Sequence, residues 1–201
     1  MNDHGTALPK IVPRTEWDEA RKAMRKKEEE FGRKREALIA GWRNLPMLEM
    51  DEHHVFEGPN GKVCLADLFE GRRQLLVYHF WFQPGEEPCD GCSLWTGDLG
   101  DLGGDFANLH NYDTSLAFVS RAPPAEIDAV RKRRGWTMPW YSMVGEDFHD
   151  ATGYNGWAQI SVFIREGATT FLTNVVAFDD LATIGNHWTL LERAPLGLNE
   201  G

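Results

Sequence analysis

The apolar positions along this chain change period twice. Between Trp17 and Leu38 they recur every seven residues, at Trp17, Met24, Phe31 and Leu38, with Ala20, Lys27 and Lys34 at the intervening seam positions. That spacing marks one face of a helix. The helix is expected to start with Thr15 as cap and Asp18 three positions on, and to run to Ile39 or Ala40, with Gly41 as its stop. The stripe is too narrow for a free coiled coil. It fits a solvated helix on its own domain and, equally, an arm that pairs with a second copy of the chain.

From Leu45 to Leu68 the pattern shortens. Val55-Phe-Glu-Gly-Pro-Asn-Gly-Lys-Val-Cys-Leu65 reads as a hairpin turned by Pro59-Asn-Gly61. Cys64 in its second arm reads as a small core residue. Ala66-Asp-Leu-Phe69 gives one helical turn ending at Gly71.

At Leu75 the period disappears into a continuous apolar run, Leu75-Leu-Val-Tyr-His-Phe-Trp-Phe82. Such a run is a strand covered on both faces. The turn Gln83-Pro-Gly-Glu-Glu-Pro88 ends it, Cys89-Asp-Gly-Cys92 follows, and Trp95, Leu99, Leu102, Phe106 and Leu109 mark a helix face. Gly97, Gly100, Gly103 and Gly104 weaken that helix, with a break expected near Gly103. Leu116–Val119 is the next strand. Pro123-Pro124 opens a helix closed by Arg131-Lys-Arg-Arg134 and Gly135. Trp140–Met143 is a short strand, residues 146–156 read as irregular, 159–165 and 169–173 form a hairpin, and 179–188 a final helix.

A helical crossover makes strands 75–82 and 116–119 parallel, while the hairpin makes the sheet mixed. A mixed sheet with helices on both faces and a dithiol after its first core strand describes an α/β fold, a thioredoxin-like three-layer sandwich. The expected organisation is an N-terminal helical extension, residues 1–42, and the sandwich, residues 43–201.

Charge sharpens this division. The net charge is −10, yet Lys10 to Ala40 holds ten Lys/Arg against seven Asp/Glu, leaving −13 on the remainder. An acidic body argues against nucleic acid as partner. No apolar run is long enough for a membrane span, and Met1–Thr6 lacks the organisation of a secretory signal. Three cysteines suit a cytoplasmic chain with one special pair rather than a disulfide scaffold.

The chemistry centres on that pair. Two cysteines on one helical turn close a short disulfide without moving the backbone. The first sits where free N–H groups and the helix dipole favour a thiolate, so Cys89 is the expected nucleophile and Cys92 the resolving thiol. Glu86, Glu87 and Asp90 oppose the dipole with negative charge. Two other readings compete. Half a zinc site would need two more ligands, and no second Cys/His pair exists. The pair can also be structurally inert. His53, His54, His110, His149 and His187 show no ligand spacing, so no metal and no cofactor is assigned.

Arg121 follows strand 116–119 at the same sheet edge as the dithiol, where α/β sites form. It is placed to approach Cys89 or hold an anionic substrate, or else is a surface arginine. His79 reads as a core histidine. Of Trp81, Trp95, Trp136, Trp140 and Trp157, most belong to the core, and Trp95 and Trp157 are assigned with Arg121 to substrate binding.

Several blocks together resemble one bacterial family: Asn44-Leu-Pro46, Val55–Val63, Leu65–Phe69, Tyr78-His-Phe80, Cys89-Asp-Gly-Cys-Ser93, Val119-Ser-Arg-Ala-Pro123, Gly135-Trp136, Met138-Pro139-Trp140 and Ser161-Val-Phe163. The chain from Gly41 to Gly197 is similar to the DUF899 proteins, classed as thioredoxin-like. The resemblance implies that fold and a redox dithiol at Cys89 and Cys92. One departure from the wider thioredoxin pattern stands out. Thioredoxins carry a cis-proline before the strand that faces the dithiol, whereas here no proline lies between Pro139 and Pro195, and Trp157-Ala-Gln-Ile160 occupies that region. The expected function is thiol–disulfide exchange, or thiol peroxidase-like chemistry, on a small-molecule or protein thiol or disulfide. The alternative is a non-enzymatic binding or assembly module with a vestigial dithiol.

Overall fold

The computed structural model describes residues 9–51, 53–101 and 107–177. Helix α1, Arg14–Arg43, belongs to one compact unit, and a second unit begins at Pro46. Each is described by itself.

Helix α1 is solvated along its length and has no buried residue. Its polar surface is laced with ion pairs, Arg14–Asp18 at 2.9 Å, Lys34–Glu30 at 2.8 Å and Arg25–Glu29 at 3.4 Å. The seven-residue stripe of Trp17, Met24, Phe31 and Leu38 is 51–67 % exposed. Both expected ends differ. Pro13, in extended conformation, precedes the first turn, so Thr15 lies inside the helix and caps nothing. Gly41 does not stop it either. The helix runs on to Arg43, where the Asn44 side chain donates to Ala40 O at 2.8 Å and its backbone N–H to Gly41 O at 3.0 Å. An interior glycine costs only about 1 kcal/mol, so a better C-terminal partner three residues later prevails.

The second unit is a mixed sheet with cover on both faces. Its strands are β1 Leu48–Met50, β2 Val55–Gly58, β3 Gly61–Cys64, β4 Gln74–His79, β5 Thr114–Ser120, β6 Trp140–Met143, β7 Gln159–Glu166 and β8 Thr169–Val176. The order across the sheet is β1-β8-β7-β4-β5-β6-β2-β3. Strands β4, β5 and β6 are parallel, and β7 pairs antiparallel with β4. Helices α2 Asp90–Asp101, α3 Ala107–His110, α4 Pro124–Arg134 and α5 Asp147–Thr152 complete it, with a 3₁₀ turn at Leu65–Phe69. The thioredoxin-like sandwich expected from the pattern is the fold observed.

Alternation along β4 and β5 sorts the core into two layers. Tyr78, Leu116 and Phe118 face Cys92 and Trp95 of α2 and Ile127 and Val130 of α4. Leu75, Val77, Ala117 and Val119 face Phe69 of the 3₁₀ turn and Phe148 of α5.

Two boundaries shift. Strand β4 ends at His79, not Phe82, because its partner β7 begins opposite at Gln159. Phe80 N–H still bonds Val119 O at 2.9 Å. Residues 147–152, expected to be irregular, form α5, closed by Gly153 at φ 65. The expected break at Gly103 and the helix at 179–188 lie outside the described residues.

Helix α4 ends as the sequence implies, with Gly135 at φ 72 and its N–H on Arg131 O. No atom lies within 4 Å of where a Cβ would stand. Gly135→Ala is therefore expected to lose only the conformational term, about 1 kcal/mol, read as a lower urea midpoint.

Candidate active site at the Cys89–Cys92 pair

Strand β4 delivers the chain to the sheet edge it shares with β5, and the chain must turn there to begin α2. Gly85 makes the turn at φ 73, a conformation that favours glycine, and its N–H donates to the Glu126 carboxylate of α4 at 3.0 Å. Cys89 follows, immediately before α2. Its N–H donates to Trp81 O at 3.1 Å, and its carbonyl receives Ser93 N–H at 2.9 Å. Its sulfur accepts Cys92 N–H at 3.5 Å. The thiol thus does what an N-cap side chain does, taking one of the unpaired donors of the first turn.

Cys92 sits one turn in and is 1 % exposed, whereas Cys89 is half-buried, and both thiols are free. Burial pushes the Cys92 thiol up to about 11, and hydrogen bonds from the Tyr78 hydroxyl and the Trp81 N–H work against that. Trp81 anchors Cys89 through its main-chain carbonyl. Burial, and next the charge of Cys92, hold the Tyr78 phenol far above its usual range. It remains a donor.

On the opposite face of β4, His79 is fully buried. Its Nε2 meets Ser161 Oγ at 2.9 Å, and Gln159 donates to the same oxygen at 3.2 Å. Its Nδ1 has no hydrogen-bond partner. Phe148, His149 and Tyr154 surround it, with ring centroids at 5.5, 5.4 and 4.9 Å. Burial and then His149 push His79 well below the usual range. Burial, reinforced by Arg121, pushes His149 to about 4, against the pull of Glu146, whose Oε2 lies 3.5 Å from His149 Nδ1. Tyr154 donates its N–H to His149 O at 2.9 Å, and its ring lies 4.0 Å from the His149 ring. Burial raises Tyr154 to about 12, with both cysteines adding and Arg121 opposing.

Residues 6–201 match the family described as bacterial protein of unknown function, DUF899. The chain belongs to this family. No curated protein matches it. Among solved structures, this DUF899 protein is similar to a mutant of PrxQ from Xylella fastidiosa, with TM-score 0.50 and 13 % identity over 67 % of this chain and 85 % of that one. It is also similar to a thiol:disulfide interchange protein from Bacteroides sp., with TM-score 0.46 and 16 % identity over 74 % and 89 %. At these identities the likeness concerns the fold.

The expected site residues of the DUF899 chain are placed unequally. Cys89 and Cys92 come together at the start of α2. Arg121 lies at the same sheet edge, but its observed partner is the carboxylate of Glu146, not a sulfur. That pair ties the loop after β5 to the start of α5. Trp95 is 7 % exposed and stacks on Tyr78 at 4.4 Å. Its ring packs in the core layer that also holds Cys92, with little of it at the surface. Trp157 is 67 % exposed, on the loop before β7. Of the acidic residues around the pair, Glu87 is bound by Arg133 at 2.9 Å.

The sequence reading weighed His149 only as a metal ligand and did not single out Glu146 or Tyr154. It also missed a groove of about 560 Å³ along α2, lined by Asp90, Leu94, Arg134 and Trp136 among others. Arg134 lies over the Trp136 ring at 5.8 Å. Among the described residues, no three His, Cys, Asp or Glu side chains are grouped to hold a metal ion, and no helix is long and apolar enough to cross a membrane.

Proposed function

We propose that this protein is a thiol–disulfide oxidoreductase in which Cys89 attacks and Cys92 resolves. The observation that carries this is the asymmetry of the pair. Cys89 is half-buried with its sulfur on a backbone N–H at the start of α2, while Cys92 is sealed beneath it. Thiolate exchange requires that arrangement, an accessible first sulfur and a protected second one.

In the first step the Cys89 thiolate attacks one sulfur of a substrate disulfide. A protein–substrate S–S bond forms, and the other substrate sulfur leaves as a thiolate. In the second step Cys92 gives up its proton and attacks Cys89. The mixed disulfide breaks, the second substrate thiol leaves with a proton, and the protein holds the Cys89–Cys92 disulfide. Two electrons have passed from the protein dithiol to the substrate disulfide. Substrates of this chemistry are small-molecule or protein disulfides. Trp157, Arg121 and the groove along α2 are the surfaces offered to them.

The test is reduction of insulin disulfides by the dithiol form, followed by mass measurement of the spent protein. The expected result is insulin reduction together with a loss of two hydrogens localised to the Cys89–Cys92 peptide. No reduction, with both thiols still free, overturns the proposal in favour of a binding module. Peroxide consumption with the same spent product, and no insulin reduction, replaces it with a thiol peroxidase.

A further inference from the structure

The groove along α2 opens beside the reactive sulfur. Gly91 lines it, and a Cβ at Gly91 would stand 3.9 Å from Cys89 Sγ. Ser93 lines it too. That residue is 6 % exposed, and its hydroxyl has no hydrogen-bond partner among the described residues. A buried hydroxyl left unpaired costs free energy that a bound polar group recovers. The volume, about 560 Å³, lies in the range of small-molecule sites.

The second wall is built where α4 ends. The left-handed turn at Gly135 brings Trp136 N–H back to Arg131 O at 2.9 Å, and Arg134 lies over the Trp136 ring, 5.8 Å from its centroid. That ring is held in turn against Phe80 and Trp140, at 6.3 and 6.0 Å. A guanidinium resting on an indole face is positioned while its N–H donors stay available at its edge. The rest of the basic run is occupied. Lys132 pairs with Asp128 at 2.6 Å, Arg133 pairs with Glu87 at 2.9 Å, and Arg131 donates to Thr137 O at 3.3 Å. Among the described residues Arg134 has no acidic partner. Asp90 lines the groove as well, next to Cys89 in the chain. Its charge repels a carboxylate at the sulfur end and leaves the Arg134 end to receive one.

We infer that this groove binds a small-molecule disulfide that carries a carboxylate. The carboxylate sits on the Arg134 guanidinium, the carbon chain lies against Leu94 and Trp136, and one sulfur lies over Gly91 within reach of Cys89 Sγ. Arg134 is the residue that sets specificity, and the Ser93 hydroxyl is open to a polar atom of the ligand. One such disulfide takes two electrons and two protons from the protein dithiol and leaves as two thiols. This assignment rests on the oxidoreductase reading of the pair.

The test compares two disulfides, the dianion 3,3′-dithiodipropionate and the neutral 2-hydroxyethyl disulfide. Each is mixed with the reduced full-length protein in a Cys64→Ser background at fixed ionic strength. Loss of thiols is followed by alkylation and intact mass, and the quantity read is the rate with the dianion divided by the rate with the neutral compound. Arg134→Gln is expected to lower this ratio about fivefold, the scale of a partly exposed ion pair. Arg134→Lys keeps the charge without the planar fork and is expected to fall between. Lys132→Gln removes a charge of α4 outside the groove and is expected to leave the ratio where it was. A ratio unchanged in Arg134→Gln, or one that falls equally in Lys132→Gln, overturns the inference while the oxidoreductase reading stands. A wild-type protein whose thiols react with neither disulfide overturns that reading, and this inference with it.

Discussion

Cys89→Ser is expected to abolish disulfide reduction, by at least about a thousandfold, the scale on which loss of a nucleophile acts. Cys92→Ser is expected to behave differently. Cys89 keeps its place before α2 and completes the first attack, and the reaction then stops at a protein–substrate disulfide. The replacement hydroxyl fits the site, because serine is smaller than the cysteine it replaces. Intact mass after exposure to a small disulfide checks both variants. Cys92→Ser should carry one stable adduct on Cys89 and Cys89→Ser none. An adduct on Cys92 in the Cys89→Ser protein, formed as fast as the wild-type one, would reverse the two roles.

Acid is expected to destabilise the fold well before its carboxylates are protonated. His149 is held neutral to about pH 4 by burial and by Arg121, whereas an unfolded histidine titrates near 6.5. Between those values the unfolded chain binds a proton that the folded chain refuses, so stability rises with pH. The contribution is fully present above about pH 6.5 and is lost as pH falls through 4. For His149 alone it amounts to roughly 3 kcal/mol at most. Burial lowers His54 and His79 too, and both add in the same direction. Glu146 and Asp150 oppose it at His149. Urea midpoints at pH 7.5 and pH 5 check this. The wild type should lose stability between them, and His149→Gln should lose less. Equal midpoints for the wild type would show that these histidines accept protons in the folded state.

The features legible in the sequence were those written in local periodicity. The run beginning at Leu75, the helix opened by Pro124 and closed by Gly135, and the hairpin of β7 and β8 each carry their own signal, and with the dithiol they define the fold. The helix ends of α1 were misplaced because cap residues compete, and Asn44 offers more hydrogen bonds than Gly41 can. Helix α5 was missed because six residues are too few to show a period. The wider site was illegible for another reason. His149 and Tyr154, from α5 and the loop after it, meet His79 of β4 across a long stretch of chain. No spacing along the chain encodes such a meeting. Sequence also does not tell whether a tryptophan beside a reactive pair faces solvent, as Trp157 does, or core, as Trp95 does.

The Trp81 contact bears on how this site can drift. The bond that holds Cys89 is made by a main-chain atom, the Trp81 carbonyl that accepts Cys89 N–H. Any residue at position 81 supplies that carbonyl. The Trp81 side chain packs against the core layer of Cys92, so a substitution there alters packing behind the pair while leaving the main-chain anchor of Cys89 available.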